Sequence, residues 1–155
     1  GQTYAVRFAW VGDASSSTQV TNATAQAVRG GSCAHFAMGP YSSGLTSVTA
    51  QQTYYDHLVQ MAPAAATTSV YTQLIDGVRS NLTFGMAIPA GNYHDTSLEV
   101  IKQAAEREGD ADTLVLGFLQ ADASFPISQC DGALVRAQEL GLTVAATASG
   151  TPLVY

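Results

Sequence analysis

An α/β fold with mostly parallel, doubly wound sheets is predicted by three features of this 155-residue chain. Hydrophobic positions switch between a period of two and a period of about 3.6, as strands and helices require. Turn formers such as Gly30-Gly31, Pro63, Pro89-Ala90-Gly91 and Gly141 separate those segments. The two kinds of segment alternate along the chain, and strands joined through helices lie parallel.

Taken in order, Tyr4, Val6, Phe8 and Trp10 fall on one face of a strand over 4–11. Residues 18–29 read as a helix with small apolar positions, stopped by Gly30-Gly31. A short apolar strand covers 34–38, and a helix follows from about Leu45 to Asp56. A second apolar run, Leu58 to Met61, closes at Pro63, and Ala64 to Thr68 is a loop of small residues. Val70, Leu74, Ile75 and Val78 share a helical face, whereas Leu82, Phe84, Met86 and Ile88 share a strand face.

Pro89-Ala90-Gly91 is the candidate linker between two sub-structures. Thr96-Ser97-Leu98-Glu99 has the form of a capping box and places a helix from Thr96 to about Glu108. A buried strand over Thr113–Leu119 comes next. A helix over 128–140 ends at Gly141, and a last strand covers Thr143–Ala148.

The charge balance excludes whole classes of partner. Twelve acidic residues against six basic ones give a net charge of -6, and Lys102 is the sole lysine. A phosphate backbone needs clustered cations, so nucleic acid is excluded. Anionic membrane surfaces fail on the same ground. The charged share of 12% is low, and Ser, Thr, Asn, Gln and Gly carry solubility, a pattern typical of secreted proteins. No apolar run is long enough for a membrane span, and Gly1 is expected to start a mature or trimmed chain. Asn22-Ala23-Thr24 and Asn81-Leu82-Thr83 are glycosylation sequons, making Asn22 and Asn81 the candidate acceptors. Cys33 and Cys130 could form one disulfide or stay as two buried thiols, and they are not spaced for zinc.

Ligands of parallel α/β sheets collect at the carboxyl ends of strands, where loops lead into helices. Three loops qualify. In Gly39-Pro40-Tyr41-Ser42-Ser43-Gly44, glycine and hydroxyl residues let backbone N–H groups approach an anion that the helix dipole favours. The same residues also make an ordinary helix cap. The loop Ala62-Pro63-Ala64-Ala65-Ala66-Thr67-Thr68 offers backbone groups and hydroxyls, or is a plain connection. Asp13-Ala14-Ser15-Ser16-Ser17 matches the D-x-S-x-S pattern of a metal-ion-dependent adhesion site. There Asp13, Ser15 and Ser17 would supply oxygens to Mg²⁺, but a hard cation needs further oxygen ligands.

His35, His57 and His94 lack the i, i+4 spacing of a helical metal site and read as surface or hydrogen-bonded histidines. Cys33 and His35 have no third group to orient a thiol nucleophile. Neither a G-x-S-x-G elbow nor a P-loop occurs, so no catalytic residue, resident metal or cofactor is expected.

The segment from Cys33 to Val70, CAHFAMGPYSSGLTSVTAQQTYYDHLVQMAPAAATTSV, resembles the type I periplasmic-binding fold. That fold serves leucine/isoleucine/valine-binding proteins and the ligand-binding regions of natriuretic-peptide and glutamate-type receptors. The resemblance rests on a Gly-Pro-x-Ser-Ser loop, a helix, and a strand ending in a Ser-Pro-Ala-Ala-Thr-like loop. It continues through YAVRFAWVGDASSSTQVTNATAQAV on one side and LTFGMAIPAGNYHDTSLEVIKQA on the other.

The resemblance implies part of a two-lobed domain, with residues 1–88 as most of a first lobe lacking its first strand and helix. Residues 89–155 would begin the second lobe. It implies a non-catalytic, extracellular or periplasmic sensor of a small polar ligand such as an amino acid, working by lobe closure. Ser42 and Ser43 would hold a carboxylate, Ala65 and Thr67 would meet the ligand's ammonium or polar end, and Tyr93 would line the cleft. Cys33 and Cys130 fall in different lobes on this mapping, which disfavours a bond between them. The absent segments imply a second chain or further segment that completes the fold, and they leave open an assembly role for a reduced ligand-binding fold. The adhesion module centred on Asp13 is the third alternative.

Overall fold

A turn at Asp13 starts the first helix. The Asp13 carboxylate accepts from Ser15 N at 2.8 Å and its carbonyl accepts from Ser16 N at 2.9 Å. The chain then enters α1 (Ser17–Arg29), which buries Val20 and Thr24 and packs along α2 (Ser43–Tyr55). The computed structural model describes residues 2–29, 34–145 and 153–154. They divide into two units, Gly1–Ala64 with Val70–Met86 and Ala65–Ser69 with Ala87–Tyr155.

The first unit is built on a parallel sheet of β1 (Phe36–Met38), β2 (Val59–Ala62) and β5 (Thr83–Gly85), in the order β1-β2-β5. Phe36 stands opposite Val59, Met38 opposite Met61, and Gln60 opposite Thr83. Parallel neighbours need a long crossover, and α2 supplies the one between β1 and β2. It packs beside β2, and its buried positions, Ser43, Thr46, Thr49, Ala50 and Thr53, are all small. Three of these are threonines whose hydroxyls donate to helix carbonyls, Thr46 to Ser42, Thr49 to Leu45 and Thr53 to Ala50. A threonine can therefore be buried on this face with its hydroxyl satisfied.

Two expectations fail in this unit. Residues 4–11 form no strand. Their alternation survives as an extended chain, with Phe8 stacked on Trp10 at 6.1 Å between ring centroids, but all four apolar side chains stay exposed. A strand needs a ladder partner to hold its backbone polar groups, and none pairs with it among the described residues. The helix expected through Val70–Val78 is only α3 (Ser69–Thr72), followed by a hairpin of β3 (Leu74–Ile75) and β4 (Val78–Arg79). The cause is Asp76-Gly77, with φ of 53° and 78°, a two-residue turn that matches strand twist and stops a helix.

In the second unit a 3₁₀ turn (Ala90–Asn92) precedes α4 (Asp95–Glu108), and α5 (Ser124–Glu139) packs on that turn and on α4. Two parallel pairs complete it: β6 (Val115–Leu116) with β8 (Thr143–Val144), and β7 (Leu119–Gln120) with β9 (Leu153–Val154). Leu98, Ala133 and Ala137 form the core, flanked by Leu116, Phe118, Leu140, Leu142 and Val144. The capping box is not used. The helix starts at Asp95 after His94, Ser97 Oγ donates to the His94 carbonyl at 3.0 Å, and the Glu99 carboxylate instead takes the Arg136 guanidinium. The strand expected over 113–119 is split at Gly117-Phe118. Helix α5 begins earlier than its periodicity suggested, because Pro126 lies in the first turn, where no helical hydrogen bond is lost. The end of the last expected strand, 146–148, lies outside the described residues.

Candidate functional site

The loop after β1 is held by hydrogen bonds at Gly39, Pro40 and Ser42. Gly39 adopts φ of 91°, a conformation glycine takes without penalty, and donates its N–H to the Met61 carbonyl at 2.9 Å. Its own carbonyl accepts from Gln60 Nε2 at 2.8 Å. The Pro40 carbonyl, after a cis Gly39-Pro40 peptide, lies 3.2 Å from Thr46 Oγ1 and shares its hydroxyl proton with the nearer Ser42 carbonyl. Ser42 then caps α2, its Oγ accepting from Leu45 N at 3.2 Å and its carbonyl from Thr46 N at 2.9 Å.

Ser42 is exposed and Ser43, the first helical residue, is buried. The first turn of α2 carries no acidic side chain, so the positive end of the helix dipole has no internal carboxylate. The cap expected from the sequence is therefore present, at the amino end of a helix that follows a parallel strand.

The remaining predicted ligand residues belong to the second unit. Ala65 and Thr67 are buried, and the Ala66 carbonyl between them accepts from Ala90 N at 2.8 Å. That bond ties the Ala65–Thr67 stretch to the turn that leads to Tyr93. Tyr93 is 38% exposed and meets Phe125 edge-on, with ring centroids 5.5 Å apart. The structure thus links Ala65, Thr67 and Tyr93 through one backbone bond, and it places Ser42 beside Ser43 on the other unit.

Other candidates are accounted for by local structure. Asp13 serves the turn before α1, and Ser16 Oγ accepts from Gln19 N at 3.5 Å, so the D-x-S-x-S segment acts as a turn and weak cap. Among the described residues no three His, Cys, Asp or Glu side chains converge as metal ligands. Cys130 is a free, buried thiol whose pKa is raised by burial and by the neighbouring Asp131 charge. Cys33 lies outside the described residues. Asn22 and Asn81 are both exposed, while the threonines of their sequons, Thr24 and Thr83, are buried. A hollow of about 490 Å³ on the first unit is lined by Tyr71, Arg79, Ser80, Asn81, Thr83 and Phe84. It includes none of the predicted ligand residues.

The residue that the sequence reading missed is Gln60. Its signal was visible as a lone amide inside the apolar run Leu58–Met61, where a strand buried on both faces would ordinarily carry only apolar side chains.

No protein-family model matches the chain, and no curated protein does. Solved structures do. An extracellular ligand-binding receptor from Rhodopseudomonas palustris HaA2 superposes with a TM-score of 0.69 at 13% identity, covering 94% of this chain and 36% of the receptor. A solute-binding protein of an ABC transporter from Rhodopseudomonas palustris BisB5, solved with 3,4-dihydroxybenzoic acid, gives 0.68 at 12% identity, covering 86% and 33%. A leucine-binding protein from Thermotoga maritima gives 0.66 at 12% identity, covering 92% and 36%.

The chain has a type I periplasmic-binding-protein-like α/β fold, and it spans about a third of the length of the solved structures it matches. These neighbours are solute- or ligand-binding proteins. No helix among the described residues is long and apolar enough to cross a membrane.

Proposed function

We propose that this chain is a non-catalytic ligand-binding part of an extracellular or periplasmic receptor for a small carboxylate-bearing molecule, of which an amino acid is the leading case. The observation that carries the reading is the Gly39–Ser43 loop. It delivers a capped helix N-terminus, free of acidic side chains in its first turn, after a parallel strand. The neighbours add support, because leucine and 3,4-dihydroxybenzoic acid are both small and both carry a carboxylate. On this reading residues 1–88 are first-lobe material and 89–155 second-lobe material. Ser42 and Ser43 hold the carboxylate, Ala65 and Thr67 meet the polar end of the ligand, and Tyr93 contributes its ring. Asn22 and Asn81 are its candidate glycan acceptors.

Isothermal titration of the chain with the twenty amino acids and with hydroxybenzoates tests this. The expected result is saturable binding of at least one, weakened about tenfold by Ser42→Ala, as for one charge-assisted hydrogen bond. Absence of heat with every compound would overturn it.

A second reading, an assembly role, is favoured by one observation. The first unit exposes Tyr4, Val6, Phe8 and Trp10 together with Phe36 and Met38 of the edge strand β1. Such a surface calls for a covering segment or second chain. A monodisperse monomer by light scattering at high concentration counts against this reading.

A further inference from the structure

Beneath the Gly39–Ser43 loop lies the largest fully buried side chain of the first unit's sheet. Gln60, on the central strand β2, is 0% exposed. Its Oε1 accepts from Thr83 Oγ1 of β5 at 3.4 Å and, at 3.3 Å, from Thr53 Oγ1 of α2, whose one hydroxyl proton is shared with the Ala50 carbonyl at 3.2 Å. The Gly39 carbonyl can only accept, so it fixes which end of the amide is which: Nε2 donates to it at 2.8 Å, and Oε1 is left for the two threonine hydroxyls. The next residue on the strand, Met61, takes the Gly39 N–H. Both backbone polar groups of the loop's first residue are therefore held by two consecutive residues of β2.

Packing alone does not ask for an amide here. Methionine has a similar volume and would fill the space. An amide can accept from two threonines and also donate to a carbonyl, which methionine cannot. The loop leaves β1 at that carbonyl and reaches the α2 cap three residues later.

We propose that Gln60 is the positioning residue of the Gly39–Ser43 loop: through the Gly39 carbonyl it sets the direction in which the amino end of α2, with Ser42 and Ser43, is presented. What the loop binds rests on the carboxylate reading above. What holds the loop does not.

The test is Gln60→Met in the full chain, with residue-resolved amide hydrogen exchange read first. Exchange at Gly39, Leu45 and Thr46, whose N–H groups are bonded within or beside the loop, is expected to rise about tenfold relative to Val20 in α1, as for one buried hydrogen bond lost. An even rise across α1, α2 and β2, or no rise at those three amides, overturns the proposal, because either result makes Gln60 an ordinary core residue. If Gln60→Met does not fold, Thr53→Val decides. It keeps the volume, removes one bond that orients the amide, and is expected to give the same local pattern at about threefold.

Calorimetry with L-leucine and with 3,4-dihydroxybenzoate on both proteins separates the two ideas. If neither binds the unaltered chain, the receptor reading loses support while the exchange data still decide the role of Gln60. If one binds, Gln60→Met is expected to weaken it about tenfold, and unchanged affinity would count against the positioning role.

Discussion

The two units solve the burial of a helix on a sheet in opposite ways. In the first, α2 buries Ser43, Thr46, Thr49, Ala50 and Thr53 between its neighbours, and the amide of Gln60 on β2 joins Thr53 of α2 to Thr83 of β5. In the second, α4 and α5 close over Leu98, Ala133 and Ala137, with leucine, phenylalanine and valine around them. The second core is held by apolar area and shape, which have no direction. The first is threaded by hydrogen bonds, which do. On the proposed reading a directional core would suit the first unit, because it specifies where the loop's backbone points as well as filling space.

The largest effect that would break this contrast lies in the apolar core. Leu98→Ala is expected to destabilise by about 3 kcal/mol, since it removes a buried side chain whose neighbours are fixed by two helices. A midpoint shift in urea equivalent to under 1 kcal/mol would show that the core collapses freely and is not shape-determined. Gly132→Ala comes next, at about 2 kcal/mol. Alanine in a helix ordinarily gains about 1 kcal/mol over glycine. At Gly132, however, a Cβ would collide with the backbone of Gly91, so overpacking outweighs propensity and the sign reverses. A stabilised variant in a denaturant titration would refute that close approach.

The contrast also explains what could be read from the sequence. Helices α1, α2 and α5, the parallel sheet and the cap at Ser42 were legible, because each follows from local periodicity or one well-placed hydroxyl. Residues 4–11 and 36–38 show where that stops. Both read as strands, but β1 meets Val59–Met61 across a ladder while Tyr4–Trp10 meets nothing among the described residues. Alternation reports which side chains could share a face, and it carries no information on whether a partner exists. Glu99 failed for a similar reason. Three residues after Thr96 it fits a capping box, but Arg136, far along the chain, competes for the same carboxylate and wins as a charged partner. Gln60 sits inside an apolar run, and the sequence does not reveal its role because its three partners come from three different elements.

A smaller effect separates the units by pH. Asp56, at the carboxyl end of α2, has its pKa lowered from the ordinary 3.8 by the Gln52 amide, against the opposing effect of burial, and further by Arg29 of α1 at 2.9 Å. The folded carboxyl thus holds its proton less readily than the unfolded one. Its contribution to stability is complete above the ordinary aspartate value and disappears as pH falls through the lower folded value. Asp56→Asn is expected to lose about 1 kcal/mol at neutral pH, because the Arg29 end of the pair is largely solvated. It should also flatten the acid decline of the urea midpoint below pH 4. An unchanged acid limb would show that α1 and α2 are not joined through this carboxylate.

The smallest expected change in stability sharpens the contrast from outside both cores. Trp10 is 90% exposed and Phe8 stacks on it, so neither buries area against a core that folding must keep. Phe8→Ser with Trp10→Ser should therefore leave the denaturation midpoint within about 0.5 kcal/mol of the unaltered chain. The same pair should dominate binding of an apolar fluorescent dye, because contiguous exposed aromatic surface is what such dyes report. The expected signature is a large fall in dye fluorescence with no change in midpoint. A loss of more than 1 kcal/mol would mean that the segment packs onto the first unit in solution. Its alternation would then already have a partner within the chain, and the assembly reading would lose the observation that favours it.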